Sequence, residues 1–171
     1  GVPASLFMAI TRSLFRTLSQ HVLSPAKIVT EMNNSISDNN ESNMFVTLIV
    51  GILDLETGIL KLCNAGHNPP ILIYPDGQVS YLEFKTQIFV GVVEDFKYSD
   101  EEVVLEKESK LFLYTDGVTE AENINKELYG EEKLLEMLSD NASSDVRTTV
   151  NVVVDSIASH VKEAEASDDL T

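Results

Sequence analysis

The spacing of apolar residues changes twice along this chain, and the order of those changes limits the folds open to it. Apolar residues recur every three or four positions in residues 6–36 and again after residue 130, which is typical of helices. Between them, residues 45–115 hold the short apolar or alternating runs that are typical of strands. Helices, then a block of antiparallel strands, then helices predict an α+β fold with the helices outside the strands.

Two helices are predicted before the strands and two after them. Pro3 suits the first turn of the first helix, Ser24 caps the second, residues 130–132 lead into the third, and Asp145 caps the fourth. The predicted apolar face of the first helix consists of Leu6, Phe7, Ile10, Leu14, Phe15 and Leu18.

The predicted strands form hairpins. Residues 45–53 are almost all apolar or β-branched, which favours a strand buried on both faces. A turn at 54–58 leads into a returning strand at 59–63. The other predicted strands are a second hairpin of residues 71–74 and 79–82, a half-exposed strand at 98–105, and a buried strand at 110–115.

The net charge and the single cysteine restrict the classes of function that this chain can have. A chain of 171 residues is expected to form one domain, and its net charge of −16 disfavours nucleic acid and anionic membranes as partners. Cys63 is the only cysteine, so no disulfide can form within the chain, and a packed thiol is expected there. No apolar run approaches the roughly 20 residues of a membrane span. The expected location is therefore the cytoplasm.

Acidic residues at two places in the sequence, Asp116 and the pair Asp168 and Asp169, are candidate metal ligands. Asp116 follows the predicted strand at 110–115 and precedes Gly117, where a glycine allows a sharp turn and leaves room beside an ion. Asp168 and Asp169 stand near the C-terminus. Together they predict one oxygen-lined site for a hard divalent cation. Taken alone, Asp-Gly is also a common turn pair, and terminal acidic residues are often only a solvated tail.

Six stretches, in order, resemble one family across essentially the whole chain. They lie at residues 1–9, 45–54, 64–70 (NAGHNPP), 114–121 (YTDGVTEA), 128–134 and 167–171 (SDDLT). In this order they resemble the SpoIIE/RsbU type of bacterial protein serine/threonine phosphatase, a branch of the metal-dependent PPM (type 2C) phosphatases. Residues 86–92 depart from the family pattern, because only Gly91 matches there.

The resemblance implies a four-layer α-β-β-α sandwich of two antiparallel sheets flanked by helices. It also implies two Mn²⁺ or Mg²⁺ ions that activate a water for in-line attack on phosphorus. Asp116 and Asp168 are the implied metal ligands, and Asp169 either supports them or binds a weaker ion. No catalytic residue beyond the metal ligands is implied, and the substrate-binding residues stay open.

The resemblance further implies that the phosphatase domain is cut at both ends. The family's N-terminal metal aspartates would precede Gly1, and a final strand would follow Thr171, so these residues alone are expected to be inactive. The implied substrate is a phosphorylated bacterial regulator, such as an anti-sigma-factor antagonist, and the implied partner is an upstream sensor or receiver domain. The alternative is a non-catalytic pseudophosphatase that acts as a protein-binding module.

Three further polar residues have competing interpretations. His67 could be a general acid, but a loop histidine that fixes its own turn through ring hydrogen bonds is favoured. Arg12 and Arg16 lie four apart on the first helix and could bind phosphate. More often such arginines are solvated or meet a carboxylate.

Overall fold

The computed structural model describes residues 2–38, 40, 43–162, 164 and 170–171, and within them the chain has the predicted α+β class with two antiparallel sheets. The chain divides into two compact units, residues 1–67 with 84–105 and residues 68–83 with 106–171. The helices are α1 (Val2–Leu18), α2 (Pro25–Ser37), α3 (Asp116–Thr119), α4 (Glu131–Asp140) and α5 (Val146–Val161). The strands are β1 (Leu48–Leu53), β2 (Ile59–Ala65), β3 (Ile71–Ile73), β4 (Val79–Tyr81), β5 (Glu101–Val104) and β6 (Lys110–Phe112).

The first unit packs α2 against an antiparallel sheet of order β1-β2-β5. The register places Val50 of β1 opposite Cys63 of β2. Both side chains are buried together with Ile28, Val29 and Met32 of α2. Burial also raises the pKa of the Cys63 thiol to about 12, with the negative charge of Asp100 adding to the effect. The expected packed thiol is therefore confirmed.

The N-terminus of α2 is capped as predicted. The Ser24 hydroxyl oxygen accepts a hydrogen bond from the Lys27 N–H, and Pro25 occupies the first turn. The Asp100 carboxylate accepts two more hydrogen bonds, from the Ser24 hydroxyl at 2.7 Å and from the Ala26 N–H at 2.5 Å. These bonds satisfy donors that a helix start leaves unpaired, and they link α2 to the segment that leads into β5.

Three predictions for the first unit are wrong in detail. The strand predicted at 45–53 begins only at Leu48, and of β1 only Val50 is fully buried, because the other face of the strand is partly open. The strand predicted at 98–105 shortens to β5. In α1, Phe7, Leu14 and Leu18 pack against the core of the unit, whereas three other residues of the predicted apolar face are exposed, namely Leu6, Ile10 and Phe15.

The second unit packs α4 and α5 with an antiparallel sheet of order β4-β3-β6. The predicted hairpin is confirmed, with Ile71 opposite Tyr81 in the register. The core joins this sheet to the helices through Ile71, Ile73, Leu134, Leu138, Val153 and Ile157. The Asp145 carboxylate caps α5 by accepting from the Thr148 N–H at 3.0 Å.

The strand predicted at 110–115 is wrong in its extent. Pairing with β3 ends at Phe112, so three residues outside any strand follow β6 before Asp116. Asp116 and Gly117 then begin the short helix α3, so the sharp turn expected at the glycine is also wrong.

Candidate metal site at the start of α3

Asp116 presents a partly fixed carboxylate at the first position of α3. One of its oxygens, Oδ1, accepts a hydrogen bond from the Gly117 N–H at 3.0 Å. The residue is exposed, whereas Gly117, Val118 and Thr119 behind it are buried. Because one carboxylate oxygen is bonded to the backbone, the exposed carboxylate is held in a preferred orientation while its second oxygen can bind a ligand.

Buried contacts hold α3 in place. Val118 belongs to the core of the second unit, as does Tyr114, which lies two residues before Asp116. Two backbone hydrogen bonds join the end of α3 to the approach to α4, from Gly130 N–H to the Thr119 carbonyl and from Tyr129 N–H to the Ala121 carbonyl. The backbone that carries Asp116 is therefore anchored on both sides, which suits a ligand that must keep its position.

The end of the chain lies next to this backbone. The Thr115 N–H donates to the carbonyl of Thr171 at 3.1 Å. Thr171 closes the stretch 167–171, which contains two of the three predicted ligands. Asp168 and Asp169 themselves lie outside the described residues, so the structure brings together Thr171 of that stretch and Thr115, the residue before Asp116.

The donors at this place suit a hard divalent cation in their chemistry. Asp116 offers a carboxylate oxygen, the ligand type that Mg²⁺ and Mn²⁺ prefer. The neighbouring Thr115 has a buried hydroxyl oxygen with no hydrogen-bond partner in the described part of the chain. The described ranges contain no group of three or more His, Cys, Asp or Glu that could hold a metal ion, so further carboxylates are needed to complete a site.

Asn64, which the sequence did not single out, fixes the turn that contains His67. Its buried amide accepts from the His67 N–H at 2.8 Å and donates to the His67 carbonyl at 3.0 Å. The His67 ring lies 3.3 Å from the Thr47 hydroxyl. The favoured interpretation gave the turn-fixing role to the His67 ring, but this ring contact goes to Thr47 outside the turn, and the side chain that closes the turn is Asn64. An Asn at the end of a strand, before Ala-Gly, is the signal that could have indicated it.

Comparison with known families and proteins identifies the chain. The family model of stage II sporulation protein E (SpoIIE) matches residues 1–171. The chain belongs to the SpoIIE family. It is similar to protein IcfG of Synechocystis sp., at 25% identity over 198 residues. It is also similar to the phosphoserine phosphatase RsbU of Bacillus subtilis, at 24% identity over 172 residues. The predicted resemblance to the SpoIIE/RsbU type is confirmed.

Solved structures show the same fold. The SiaA-PP2C domain of Pseudomonas aeruginosa matches with a TM-score of 0.85 at 20% identity, covering 99% of this SpoIIE-family chain and 68% of that one. The PP2C phosphatase domain of SpoIIE from Bacillus subtilis, with a fragment of its regulatory domain, matches with a TM-score of 0.81 at 16% identity. This match covers 99% of this chain and 49% of that one. RsbX in complex with magnesium matches with a TM-score of 0.68 at 18% identity, covering 99% of this chain and 72% of that one.

The SpoIIE-family chain corresponds to part of its curated relatives. It is matched over its full length by both, but it spans 31% of IcfG and 50% of RsbU. In the ranges that the structure describes, none of the helices is both long and apolar enough to cross a membrane.

Proposed function

We propose that this chain is the phosphatase domain of a divalent-metal-dependent protein serine/threonine phosphatase. The family match over residues 1–171 and the likeness to solved PP2C domains support this proposal. The relative RsbU is named a phosphoserine phosphatase, which favours phosphorylated serine as one substrate group. The reaction is hydrolysis of the phosphate ester on a protein side chain.

The observation that carries the proposal is the hydrogen bond between the Thr115 N–H and the Thr171 carbonyl. Asp168 precedes Thr171 by three residues, and three residues of chain span at most about 11 Å. The bond of Thr171 to the residue before Asp116 therefore supports the choice of Asp168 and Asp169, which are close to Thr171 in sequence, as ligands of one site with the exposed carboxylate of Asp116. Carboxylates from two distant parts of the sequence can in this way serve one site.

The proposed ligands are Asp116 and Asp168, with Asp169 as a supporting residue or the ligand of a weaker ion. Two Mn²⁺ or Mg²⁺ ions are proposed, and the magnesium complex of the structural relative RsbX supports the choice of a hard cation. When bound, such ions supply Lewis acidity toward a phosphoryl oxygen and acidify a nearby water. The chain's own contribution is to fix the Asp116 carboxylate through the Gly117 N–H and through the buried backbone behind it.

The proposed setting is a bacterial signalling pathway in the cytoplasm. The substrate is a phosphorylated regulator, such as an anti-sigma-factor antagonist, and a sensor or receiver domain elsewhere in the protein controls the activity. Residues 1–171 are then one phosphatase domain that needs further residues for activity. The fact that the chain spans only part of IcfG and RsbU supports this arrangement.

Hydrolysis assays on the whole natural protein that carries this chain test the proposal. With Mn²⁺, it should release phosphate from p-nitrophenyl phosphate and from a phosphoserine protein. Asp116→Asn should lower kcat/KM by about 100-fold or more, because a metal ligand is lost. Asp140→Asn is the matched control, since this exposed aspartate ends α4 and should leave turnover unchanged. Undiminished turnover in Asp116→Asn would refute the role of Asp116, and a wild-type protein without turnover would favour the pseudophosphatase.

A further inference from the structure

The outer face of α1 carries polar and basic side chains that the proposed phosphatase site does not use. The side chains that matter for its chemistry are Met8, Arg12, Ser13, Arg16, Thr17 and Gln20. They recur every three or four residues and so form one stripe along the helix. The opposite face, with Phe7, Leu14 and Leu18, packs against the core of the first unit, so the stripe faces away from that core.

The stripe is basic in a strongly acidic chain. The sequence has 12 lysines and arginines against 28 aspartates and glutamates, yet α1 contains no acidic residue and two of the chain's three arginines. Arg12 and Arg16 are both exposed. Lys61 pairs with Glu102 and Lys126 with Glu122, whereas neither arginine forms an ion pair with a carboxylate in the described ranges.

Two guanidinium groups one helical turn apart, neither of them in an ion pair with a described residue, select a particular ligand chemistry. Each can bind a carboxylate or a phosphoryl group through two parallel N–H donors. Side chains at positions i and i+4 start about 5–6 Å apart, so the matching ligand presents two anionic groups at about that spacing. Ser13 and Gln20 add hydrogen-bonding groups, and Met8 adds a flexible apolar contact.

Charge complementarity identifies the occupant. A second copy bound through the same face in a two-fold dimer would place arginine against arginine. A nucleic acid or an anionic membrane would extend beyond the stripe, over the surface of a chain of net charge −16. The stripe from Ser5 to Gln20 is about 24 Å long at 1.5 Å per residue, which matches a short peptide segment. We propose that this face of α1 is a docking surface for an acidic segment of a partner protein.

Peptide binding to the whole natural protein tests this proposal independently of phosphatase activity. The probes are three fluorescent alanine-rich peptides of about 16 residues, the length of the stripe at 1.5 Å per residue. At every fourth position they carry glutamate, phosphoserine or glutamine, and their anisotropy is measured. The variants are Arg12→Gln/Arg16→Gln and, as a control with the same change in net charge, Lys107→Gln/Arg147→Gln. Lys107 and Arg147 are exposed and lie outside the stripe.

The wild type should bind an acidic peptide and not the glutamine peptide. Arg12→Gln/Arg16→Gln should weaken that binding by about tenfold or more, while the control variant should change it by less than about twofold. Preference for the phosphoserine or the glutamate peptide then identifies phosphoryl groups or carboxylates as the bound anion. The proposal would be overturned if both variants weakened binding equally, or if the glutamine peptide bound as well as the acidic ones. It would also be overturned if neither acidic peptide bound, or if phosphatidylserine vesicles or single-stranded DNA bound more tightly.

Discussion

At the scale of single residues, Asn33 fixes the loop that follows Val90. Its side chain in α2 is fully buried, donates to the Val93 carbonyl at 2.8 Å and accepts from the Gly91 N–H at 2.9 Å. Asn33→Ala should lower the free energy of unfolding by about 1–3 kcal/mol, because two backbone groups lose their partners. The neighbouring Asn34 is exposed, so Asn34→Ala should change the free energy of unfolding by less than about 0.5 kcal/mol. Urea unfolding compares the two variants, and equal effects would show that the buried amide is not what holds the loop.

Gly66 is required by both its backbone angle and its neighbour. Its φ is +77°, and a Cβ added there would lie 2.0 Å from the Phe89 ring. Gly130 has a similar φ of +81° but open space around it. Gly130→Ala should therefore cost about 1–3 kcal/mol for the backbone alone, since its ψ of 162° at positive φ suits essentially only glycine, and Gly66→Ala should cost more because of the ring.

A double variant separates the two costs at Gly66. Adding Phe89→Ala to Gly66→Ala should recover the steric part of the loss and leave the backbone part. Thermal or urea unfolding of the two single variants and the double variant measures this coupling. Simple additivity of the two changes would contradict the contact with the ring.

The residue types at the candidate site were easier to predict than their local structure. Asp116 was identified from its place after an apolar run, but the short helix that it begins was not, since Asp-Gly more often indicates a turn. Asn64 was missed because its position at a strand end before Ala-Gly is a weak signal, and its role depends on hydrogen bonds that the sequence does not show. Asp168 and Asp169 remain predictions.

At the scale of elements, α5 depends on its cap in a pH-dependent way. The Thr148 N–H and hydroxyl hold the pKa of the Asp145 carboxyl below its ordinary value of 3.8. The cap therefore stabilises the fold fully above about pH 4, and this contribution disappears as the pH falls through the lowered pKa.

Asp145→Ala tests the cap. The variant should be less stable than the wild type at pH 7, and the difference should shrink as the pH falls below 4, because both proteins then lack the charged cap. Asp145→Asn should retain most of the stability at pH 7, because its amide oxygen can still accept the Thr148 N–H. Urea unfolding at several pH values gives these differences. A difference that grows on acidification would have the wrong sign for a carboxylate cap.

Elements with strong local signals were predicted well. The hairpin of β3 and β4 follows from its Pro-Asp-Gly turn, and the starts of α2 and α5 follow from their caps. The start of β1 was misplaced because Val46 pairs with the distant Val90, in an isolated bridge that leaves residue 47 outside the strand. The predicted apolar face of α1 includes residues that are exposed, because hydrophobic spacing does not show how much of a helix face packs against the core.

At the scale of the whole molecule, the excess of acidic residues complicates any claim about metal binding. A chain of net charge −16 attracts divalent cations weakly over its whole surface. That attraction is screened at physiological salt, where the Debye length is about 8 Å. A site made of converging carboxylates keeps its affinity under the same conditions, since its ligands bind the ion directly. Salt therefore separates the general attraction from the proposed site.

The central claim is that Asp116 and the C-terminal Asp168 bind the same cation. Calorimetric titration of the whole natural protein with Mn²⁺ at about 0.15 M salt, where surface attraction is screened, measures this most directly. Asp116→Asn and Asp168→Asn should each weaken the tightest site by about tenfold or more, and the double variant should be little worse than either, because the ligands share one ion. Asp140→Asn should bind as the wild type does. Wild-type Mn²⁺ affinity in either Asp116→Asn or Asp168→Asn would contradict the account.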